Sequence, residues 1–227
     1  MENFLYYIVT FSYLILPISF LVFRCSLKNT IPFTLLCYGL LCFSFLYAYF
    51  KYIPQNAEKY YQVTYTFLEY SFFTFIFWFN IRNRVFKTFM IIASALFFIF
   101  QIFFVTTTSF QRLDSIPIGI ESILLFIYIF YFFYEFSKQV KDTFIYNHYT
   151  FWIGVGIMIY LGGSFFFYIL INNLSASEEK AFGNMTYIAE ILKNLLFAIS
   201  IYLFKKNPVK NIQDQAKKIP NLDMNTI

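Results

Sequence analysis

Seven long apolar runs constrain this chain more than any other feature of its sequence. A helix that crosses a lipid bilayer needs about 20 mainly apolar residues, and seven stretches of that kind follow one another along the chain. They cover residues 4–23, 30–50, 62–80, 86–105, 116–136, 150–172 and 184–204. Because lipid offers the backbone no hydrogen bonds, each run must pair its own peptide groups, as a helix does. The sequence therefore predicts an all-α, polytopic membrane protein with seven transmembrane helices.

The composition predicts a single membrane domain. Of the 227 residues, 59% are hydrophobic and 13% are charged, whereas a soluble domain carries about 25% charged residues. A soluble fold would expose this apolar excess as large patches, but lipid solvates it directly. We therefore expect a seven-helix transmembrane domain over residues 1–204 and a basic tail over 205–227, which is too short for a catalytic domain.

The distribution of basic residues predicts the orientation of the segments. Cytoplasmic loops of membrane proteins carry an excess of Lys and Arg. If the N-terminus lies outside, the cytoplasmic loops and the tail hold 12 of the 17 basic residues, and the outer loops hold four. The twelve are Arg24, Lys28, Arg82, Arg84, Lys87, Lys138, Lys141, Lys205, Lys206, Lys210, Lys217 and Lys218. We expect a multi-pass protein of a bacterial inner membrane, with its N-terminus outside and its C-terminus in the cytoplasm.

The same basic residues account for the net charge of the chain. It is +5, and it follows from the excess of basic residues in the cytoplasmic loops and the tail. We expect the basic tail to meet anionic lipid headgroups, and we expect no nucleic-acid partner.

Four charged residues lie deep inside the apolar runs, where a charge is costly and usually faces the interior of a helix bundle. Glu69 lies in the third run, Glu121 in the fifth, and Glu190 and Lys193 in the seventh. In the predicted orientation these helices all run inward, and at 1.5 Å per residue the charges lie roughly 8–14 Å below the outer helix ends. The pattern predicts an outward-facing polar pocket between the three helices for a small polar or cationic ligand, or for a coupling proton.

A structural explanation of the same four charges stays open at this stage. A buried ion-pair network would fix the order of the helices, and Glu190 and Lys193, three residues apart on one helix, could pair with each other. Three acids facing one base would leave carboxyls uncompensated, however. A carboxyl that burial keeps neutral is a candidate proton site.

Two further polar residues complete a candidate ligand-binding set of Glu69, Glu121, Glu190, Lys193, Tyr65 and Asn194. Tyr65 shares a helix face with Tyr61 and Glu69, because the three are spaced four residues apart. Aromatic side chains placed in this way suit an amine or a sugar, and an interfacial aromatic belt is the alternative. Asn194 adjoins Lys193, and an interhelical hydrogen bond is the usual role of such a residue in a membrane.

Glycine and proline distinguish two of the predicted helices. The sixth run holds four of the seven glycines, Gly154, Gly156, Gly162 and Gly163. Small residues let helices approach closely in lipid, and a flexible point that lets this helix move would use the same residues. Pro17 lies inside the first run, where it removes a backbone donor and predicts a kink.

Residues that would carry metal or covalent chemistry are scarce. His148 is the single histidine, and the three cysteines, Cys25, Cys37 and Cys42, have neither disulfide nor metal spacing. A zinc hydrolase site needs several ligands that converge on one ion, and no nucleophile–base pair is visible. We therefore expect no metal, no cofactor and no enzyme activity, although carboxylates alone leave acid–base chemistry open.

Four segments of the chain resemble small, uncharacterised seven-helix membrane proteins of Bacteroidota-type bacteria. They read FLEYSFF at 67–73, IPIGIESILLFIY at 116–128, FWIGVGIMIYLGGSFF at 151–166 and ILKNLLF at 191–197. The resemblance implies no function, but it places Glu69, Glu121 and Lys193 within the shared segments.

Two better-known families share part of this pattern. Microbial rhodopsins are similar in having seven helices and a lysine in the seventh, but here Ala189 occupies the place of the aspartate four residues before that lysine. Sugar transporters of the SWEET and PQ-loop type also have seven helices, in two repeats that LPIS at 16–19 and IPIG at 116–119 would match. The Pro-Gln pair of that family is missing.

Three functions fit these observations. The first is a sensor or receptor-like protein, in which a ligand enters from outside, shifts the sixth helix and is read by a partner protein at the basic cytoplasmic loops. The second is a small-solute or proton-coupled transporter that uses the same pocket, and the third is a structural subunit of a membrane complex. The short tail and the outward pocket favour the receptor.

Overall fold

The computed structural model describes residues 2–52, 58–107, 115–139, 145–170 and 174–206. In these ranges the chain forms eight α-helices, one short 3₁₀ helix at Ile145–Asn147 and no strand, so the predicted all-α fold is confirmed. The α-helices are α1 (Glu2–Ser12), α2 (Ile15–Val22), α3 (Thr30–Tyr52), α4 (Glu58–Asn80), α5 (Arg84–Thr107), α6 (Ser115–Gln139), α7 (Tyr149–Leu170) and α8 (Ala176–Lys206). The predicted tail lies outside the described residues from position 207 onward.

Each of the seven predicted segments corresponds to a helix, and the first corresponds to the broken pair α1 and α2. Within the described residues, five stretches are long and apolar enough to cross a membrane: Phe4–Val22, Thr30–Tyr49, Arg84–Thr107, Ile116–Lys138 and Lys180–Lys206. Tyr149–Phe165 in α7 forms a shorter apolar helix. α4 has 23 residues, but Glu69 and many Tyr and Thr residues lower its hydropathy. The helices fit a membrane protein.

The outer surface of the bundle is apolar. Large hydrophobic side chains are exposed on many helices, for example Leu21 at 72%, Val85 at 80% and Ile102 at 68%. In water such a surface would be an extended hydrophobic patch, whereas the acyl chains of a bilayer would cover it at no cost. The packing therefore agrees with the apolar composition.

α8 lies in the middle of the bundle, against α1, α2, α3 and α7, while α6 packs against α4, α5 and α7. α5 is peripheral, because only 17% of its apolar stretch is buried. In the other four candidate spans, 39–44% is buried. α5 therefore lies on the outside of the bundle, against α4 and α6.

The kink expected at Pro17 is present, and it lies four residues before the proline. α1 ends at Ser12 and α2 begins at Ile15. Proline has no N–H to donate to the carbonyl of Tyr13, which instead accepts from the backbone N–H of Leu16 at 3.3 Å. A Cβ atom at Gly39 of α3 would lie 2.8 Å from that carbonyl oxygen. Glycine at position 39 therefore lets α3 approach the break.

The glycines of α7 mostly serve close packing. A Cβ atom at Gly163 would lie 2.5 Å from the Cβ of Ala189 in α8, and one at Gly154 would lie 2.8 Å from the ring of Phe133 in α6. One at Gly156 would lie 3.1 Å from the ring of Phe197. Only Gly162 faces open space within 4 Å. Three of the four glycines thus bring α7 close to its two neighbours.

The basic residues in the last turns of α6 and α8 and just after α2 and α4 lie at one end of the bundle. The thiol of Cys25, just after α2, lies within electrostatic reach of Lys205, and the pKa of this thiol is raised by burial. The backbone N–H of Arg82, just after α4, donates to Glu135 of α6 at 3.1 Å. The first contact brings together the ends of α2 and α8, and the second those of α4 and α6. We call this end of the bundle the basic face; its basic residues in the described ranges are Arg24, Lys28, Arg82, Arg84, Lys87, Lys138, Lys205 and Lys206.

Candidate functional site

A buried lysine lies at the centre of the bundle. Lys193 of α8 is fully buried, and its ammonium donates to the hydroxyls of Tyr38 at 2.7 Å and Tyr13 at 3.3 Å. The same nitrogen lies 3.4 Å from Oε1 of Glu69 and 3.7 Å from the centroid of the Tyr160 ring. Hydroxyls, a carboxylate and an aromatic face together replace the water that the ammonium lost.

The carboxyl group of Glu69 is fully engaged by this arrangement. Its Oε1 accepts from the hydroxyl of Tyr38 at 2.9 Å, and its Oε2 accepts from the hydroxyl of Tyr160 at 2.8 Å. Together with the ion pair to Lys193, these bonds tie α3, α4, α7 and α8 to one another. This part of the cluster is the helix-ordering network that the sequence left open.

The carboxyl group of Glu190 belongs to a second set of contacts. Its Oε1 accepts from the hydroxyl of Tyr13 and, at 3.5 Å, from that of Tyr65, and the two hydroxyls are 3.1 Å apart. Lys193 forms its close ion pair with Glu69, and it also acts electrostatically on Glu190 within α8. Tyr13 links the two sets of contacts, because its hydroxyl contacts both the ammonium of Lys193 and the carboxyl of Glu190.

Glu121 of α6 is the exception among the buried acids. It is 5% exposed, and among the described residues no side chain or backbone group forms a hydrogen bond or an ion pair with it. The carboxyl of Glu69, which lines the same cavity, acts on it electrostatically. A buried charged group needs a partner. Of the three acids, Glu121 would therefore be stabilised most by a bound ligand or a proton.

A cavity of about 280 Å³ connects the three acids. It lies between α1, α3, α4, α6, α7 and α8, at the end of the bundle away from the basic face. Its charged lining residues, within the described part of the chain, are Glu69, Glu121 and Glu190. Its aromatic lining includes the tyrosines Tyr6, Tyr49, Tyr61, Tyr65, Tyr160 and Tyr187. The hydroxyl of Tyr61 is buried and has no hydrogen-bond partner among the described residues.

The structure divides the predicted ligand-binding residues into two groups. Tyr65, Glu69, Glu121 and Glu190 line the cavity. Lys193 lies behind Glu69 and does not line it. Asn194 does not line it either, because its Nδ2 donates to Oγ of Ser12 at 2.8 Å, which joins α8 to α1.

Sequence reasoning missed the tyrosines that hold the cluster together. Tyr13, Tyr38 and Tyr160 are buried in the middle of apolar segments, far from the interfacial position that tyrosine favours in membrane proteins. A buried tyrosine hydroxyl needs a hydrogen-bond partner. A tyrosine in the middle of an apolar run is therefore the signal that would have found them.

The arrangement of the acids does not resemble a metal site. Among the described residues no group of three or more His, Cys, Asp and Glu side chains is placed to hold a metal ion. His148 lies just before α7, where its ring packs against that of Phe136 at 5.4 Å and burial lowers its pKa. The cavity is built instead from separate carboxyls and aromatic faces, which can bind an organic cation.

Comparison with protein families, with curated proteins and with solved structures finds no match for this chain. The resemblance to small seven-helix membrane proteins of Bacteroidota-type bacteria stays a prediction.

Proposed function

We propose that this chain is a seven-helix receptor-like protein that binds a small organic cation in its acidic cavity. All seven segments cross the membrane in this proposal, with the N-terminus and the cavity outside and the basic face in the cytoplasm. The observation that carries the proposal is Glu121, a carboxyl that lines the cavity, is 5% exposed and has no partner among the described residues.

The charge of the cavity supports a cation as the ligand. Lys193 compensates Glu69, and tyrosine hydroxyls solvate Glu190, whereas Glu121 has neither. A cation at Glu121 would also meet the faces of the lining tyrosines, which attract positive charge. A volume of about 280 Å³ is at the small end of the range for ligand pockets, which favours a small amine.

The closed interior beyond the cavity supports a receptor. Beneath the acids, the fully buried side chains of Lys193, Phe73 and Phe197 fill the centre of the bundle, so a ligand has access from one end only. The cavity and the lysine cluster share Glu69 and Tyr160. A cation near Glu121 would therefore act on contacts that hold α4, α7 and α8 together, and a partner protein at the basic face would read the change.

Binding of amines to the full chain in lipid nanodiscs tests the proposal. The probes are methylammonium, tetramethylammonium, choline and phenethylamine, measured by isothermal titration calorimetry. We expect Glu121→Gln to weaken binding at least about ten-fold, because a hydrogen bond to a charged group contributes about 1.5–3 kcal/mol. Glu135→Gln removes the same charge at the opposite end of the bundle and serves as the matched control. If no probe binds, or if both variants bind alike, the proposal is wrong.

A transporter is the second candidate, and the broken first segment favours it. Discontinuous helices line the substrate sites of many transporters, and here the residue at the break, Tyr13, contacts both Glu190 and Lys193. Uptake of a radiolabelled amine by liposomes that contain only this protein, lost in Glu121→Gln, would establish transport. Absence of both binding and uptake, together with instability after purification, would support the role of a structural subunit.

A further inference from the structure

A second concave region lies on the outside of the bundle, between α4 and α5. It is a groove of about 430 Å³, and it is lined mainly by apolar side chains such as Phe75, Ile91 and Phe98. α5 is the peripheral helix of the bundle, so the groove faces the lipid in the proposed membrane arrangement. The groove shares no lining residue with the acidic cavity.

Two contacts show that the groove runs along two antiparallel helices. At one end the ammonium of Lys87 lies 4.6 Å from the centroid of the Trp78 ring. Further along, the hydroxyls of Tyr70 and Ser94 are 2.9 Å apart. Trp78 and Tyr70 are eight residues apart on α4, which corresponds to about 12 Å along the helix axis. The groove is therefore long enough to hold several methylene groups in a row.

The side chains along the groove change from charged to polar to mainly apolar. Lys87 places a positive charge at the mouth, on the ring of Trp78. Thr74, one turn deeper on α4, lines the groove, and its buried hydroxyl has no hydrogen-bond partner among the described residues. Beyond Thr74 the lining is apolar except for Ser71, Tyr70 and Ser94, whose hydroxyls are already paired.

We propose that this groove binds one anionic glycerophospholipid. The phosphate lies at Lys87, an ester carbonyl accepts a hydrogen bond from Thr74, and an acyl chain fills the apolar part towards Phe98. The order of groups in the groove matches their order in such a lipid. The proposal rests on a membrane position for α4 and α5, and it does not depend on what binds in the acidic cavity.

Charge and position both favour a lipid over other occupants. Lys87 belongs to the basic face, where Arg82 and Arg84 add positive charge close by, and basic residues at a membrane surface attract anionic headgroups. A free phosphate would make no use of the apolar wall. The Trp78 ring holds the ammonium at the interface, where tryptophan itself is favoured.

Native mass spectrometry of the purified full chain tests the proposal directly. The protein is exchanged into detergent with equal amounts of dioleoyl-phosphatidylglycerol and dioleoyl-phosphatidylcholine, and retention of each lipid is measured. We expect one phosphatidylglycerol to be retained in preference, and Lys87→Gln to lower its retention about five-fold, the effect of one basic residue near a membrane surface. We expect Thr74→Val to lower it as well, because the ester would lose its donor.

Two matched controls keep this test decisive. Lys138 also lies over an aromatic ring, 4.1 Å from the centroid of Tyr134, but outside the groove, so Lys138→Gln must leave lipid retention unchanged. Ala95 lines the groove and is exposed, so Ala95→Phe must fill the groove and expel the lipid, whereas Leu96→Phe on the adjacent exposed position must not.

The outcomes separate this proposal from that of the acidic cavity. Equal retention of the two lipids, equal losses in the two lysine variants, or full retention in Ala95→Phe would each overturn the lipid site. Glu121→Gln should keep the lipid even if it loses the amine, because the two sites share no lining residue.

Discussion

The ion pair between Lys193 and Glu69 is the residue-scale feature on which the bundle depends. Both side chains are buried, and the tyrosines around them are oriented by these two charges. Such a pair adds little net stability compared with apolar packing, but removal of one partner leaves an uncompensated charge in a medium of low polarity. The cluster should therefore tolerate loss of both charges better than loss of one.

A double-mutant cycle tests this dependence. Lys193→Met should lower the free energy of unfolding by about 3–5 kcal/mol, because the carboxylate of Glu69 loses its counter-charge. The double variant Lys193→Met with Glu69→Gln should recover much of that loss, since it restores neutrality. Unfolding of the purified variants in mild detergent, followed by intrinsic tyrosine fluorescence, measures the coupling. If the double variant is no more stable than Lys193→Met, the pair does not control the packing of the cluster.

The sequence predicted which charges lie inside the bundle but did not predict their partners. Glu69, Glu121 and Glu190 were visible because carboxyls are rare within apolar runs, and all three line one cavity. The partner of Lys193 was not visible, because Glu69 is 124 positions away in the chain and contacts of that range depend on how each helix is rotated. In our proposal a structural role and a binding role coexist, with Glu69 in the network and Glu121 outside it.

At the scale of elements, α7 and α8 form the most extensive helix contact in the described part of the chain. Gly163 leaves no room for a side chain opposite Ala189, whereas Gly162, its neighbour in the chain, faces open space. The same substitution at these two adjacent positions therefore separates the effect of packing from the general effect of replacing a helical glycine.

Replacement of each of these two glycines by alanine should have different effects on the free energy of unfolding. Gly163→Ala should lower the free energy of unfolding by about 1–3 kcal/mol, because its methyl group overpacks the contact with Ala189. Gly162→Ala should be neutral or should raise it by up to about 1 kcal/mol, the difference in helix propensity. Thermal unfolding of the two purified variants in the same detergent compares them. Equal shifts would mean that α7 and α8 are not in close contact at Gly163.

Element boundaries were predicted less well than element positions, for physical reasons. The seventh segment was expected over 184–204, but α8 spans Ala176–Lys206, because a helix continues past the apolar residues that hydropathy detects. Pro17 indicated a kink, but the break lies at Tyr13 and Leu14, since the missing N–H affects the carbonyl four residues earlier. Periodicity and composition locate a segment, whereas backbone hydrogen bonds decide where it starts, ends and bends.

At the scale of the whole molecule, the two ends of the bundle differ in charge. The acidic cavity opens towards the end formed by the first residues of α4, α6 and α8. The basic face lies at the other end, where α2, α4, α6 and α8 finish. Cytoplasmic sides of membrane proteins are enriched in basic residues. We therefore predict that the basic face lies in the cytoplasm and that the acidic cavity opens to the outside.

Cysteine accessibility in intact cells tests this orientation. In a chain whose native cysteines, Cys25, Cys37 and Cys42, are replaced by alanine, Lys180→Cys at the cavity end should react with a membrane-impermeant maleimide added from outside. Lys138→Cys at the basic face should react only after the cells are permeabilised; both positions are exposed, so burial does not protect either one. The opposite pattern would place the acidic cavity in the cytoplasm and its ligand among intracellular cations. Labelling of both positions in intact cells would mean that the bundle does not span the membrane, and the lipid site and the receptor proposal would fail together.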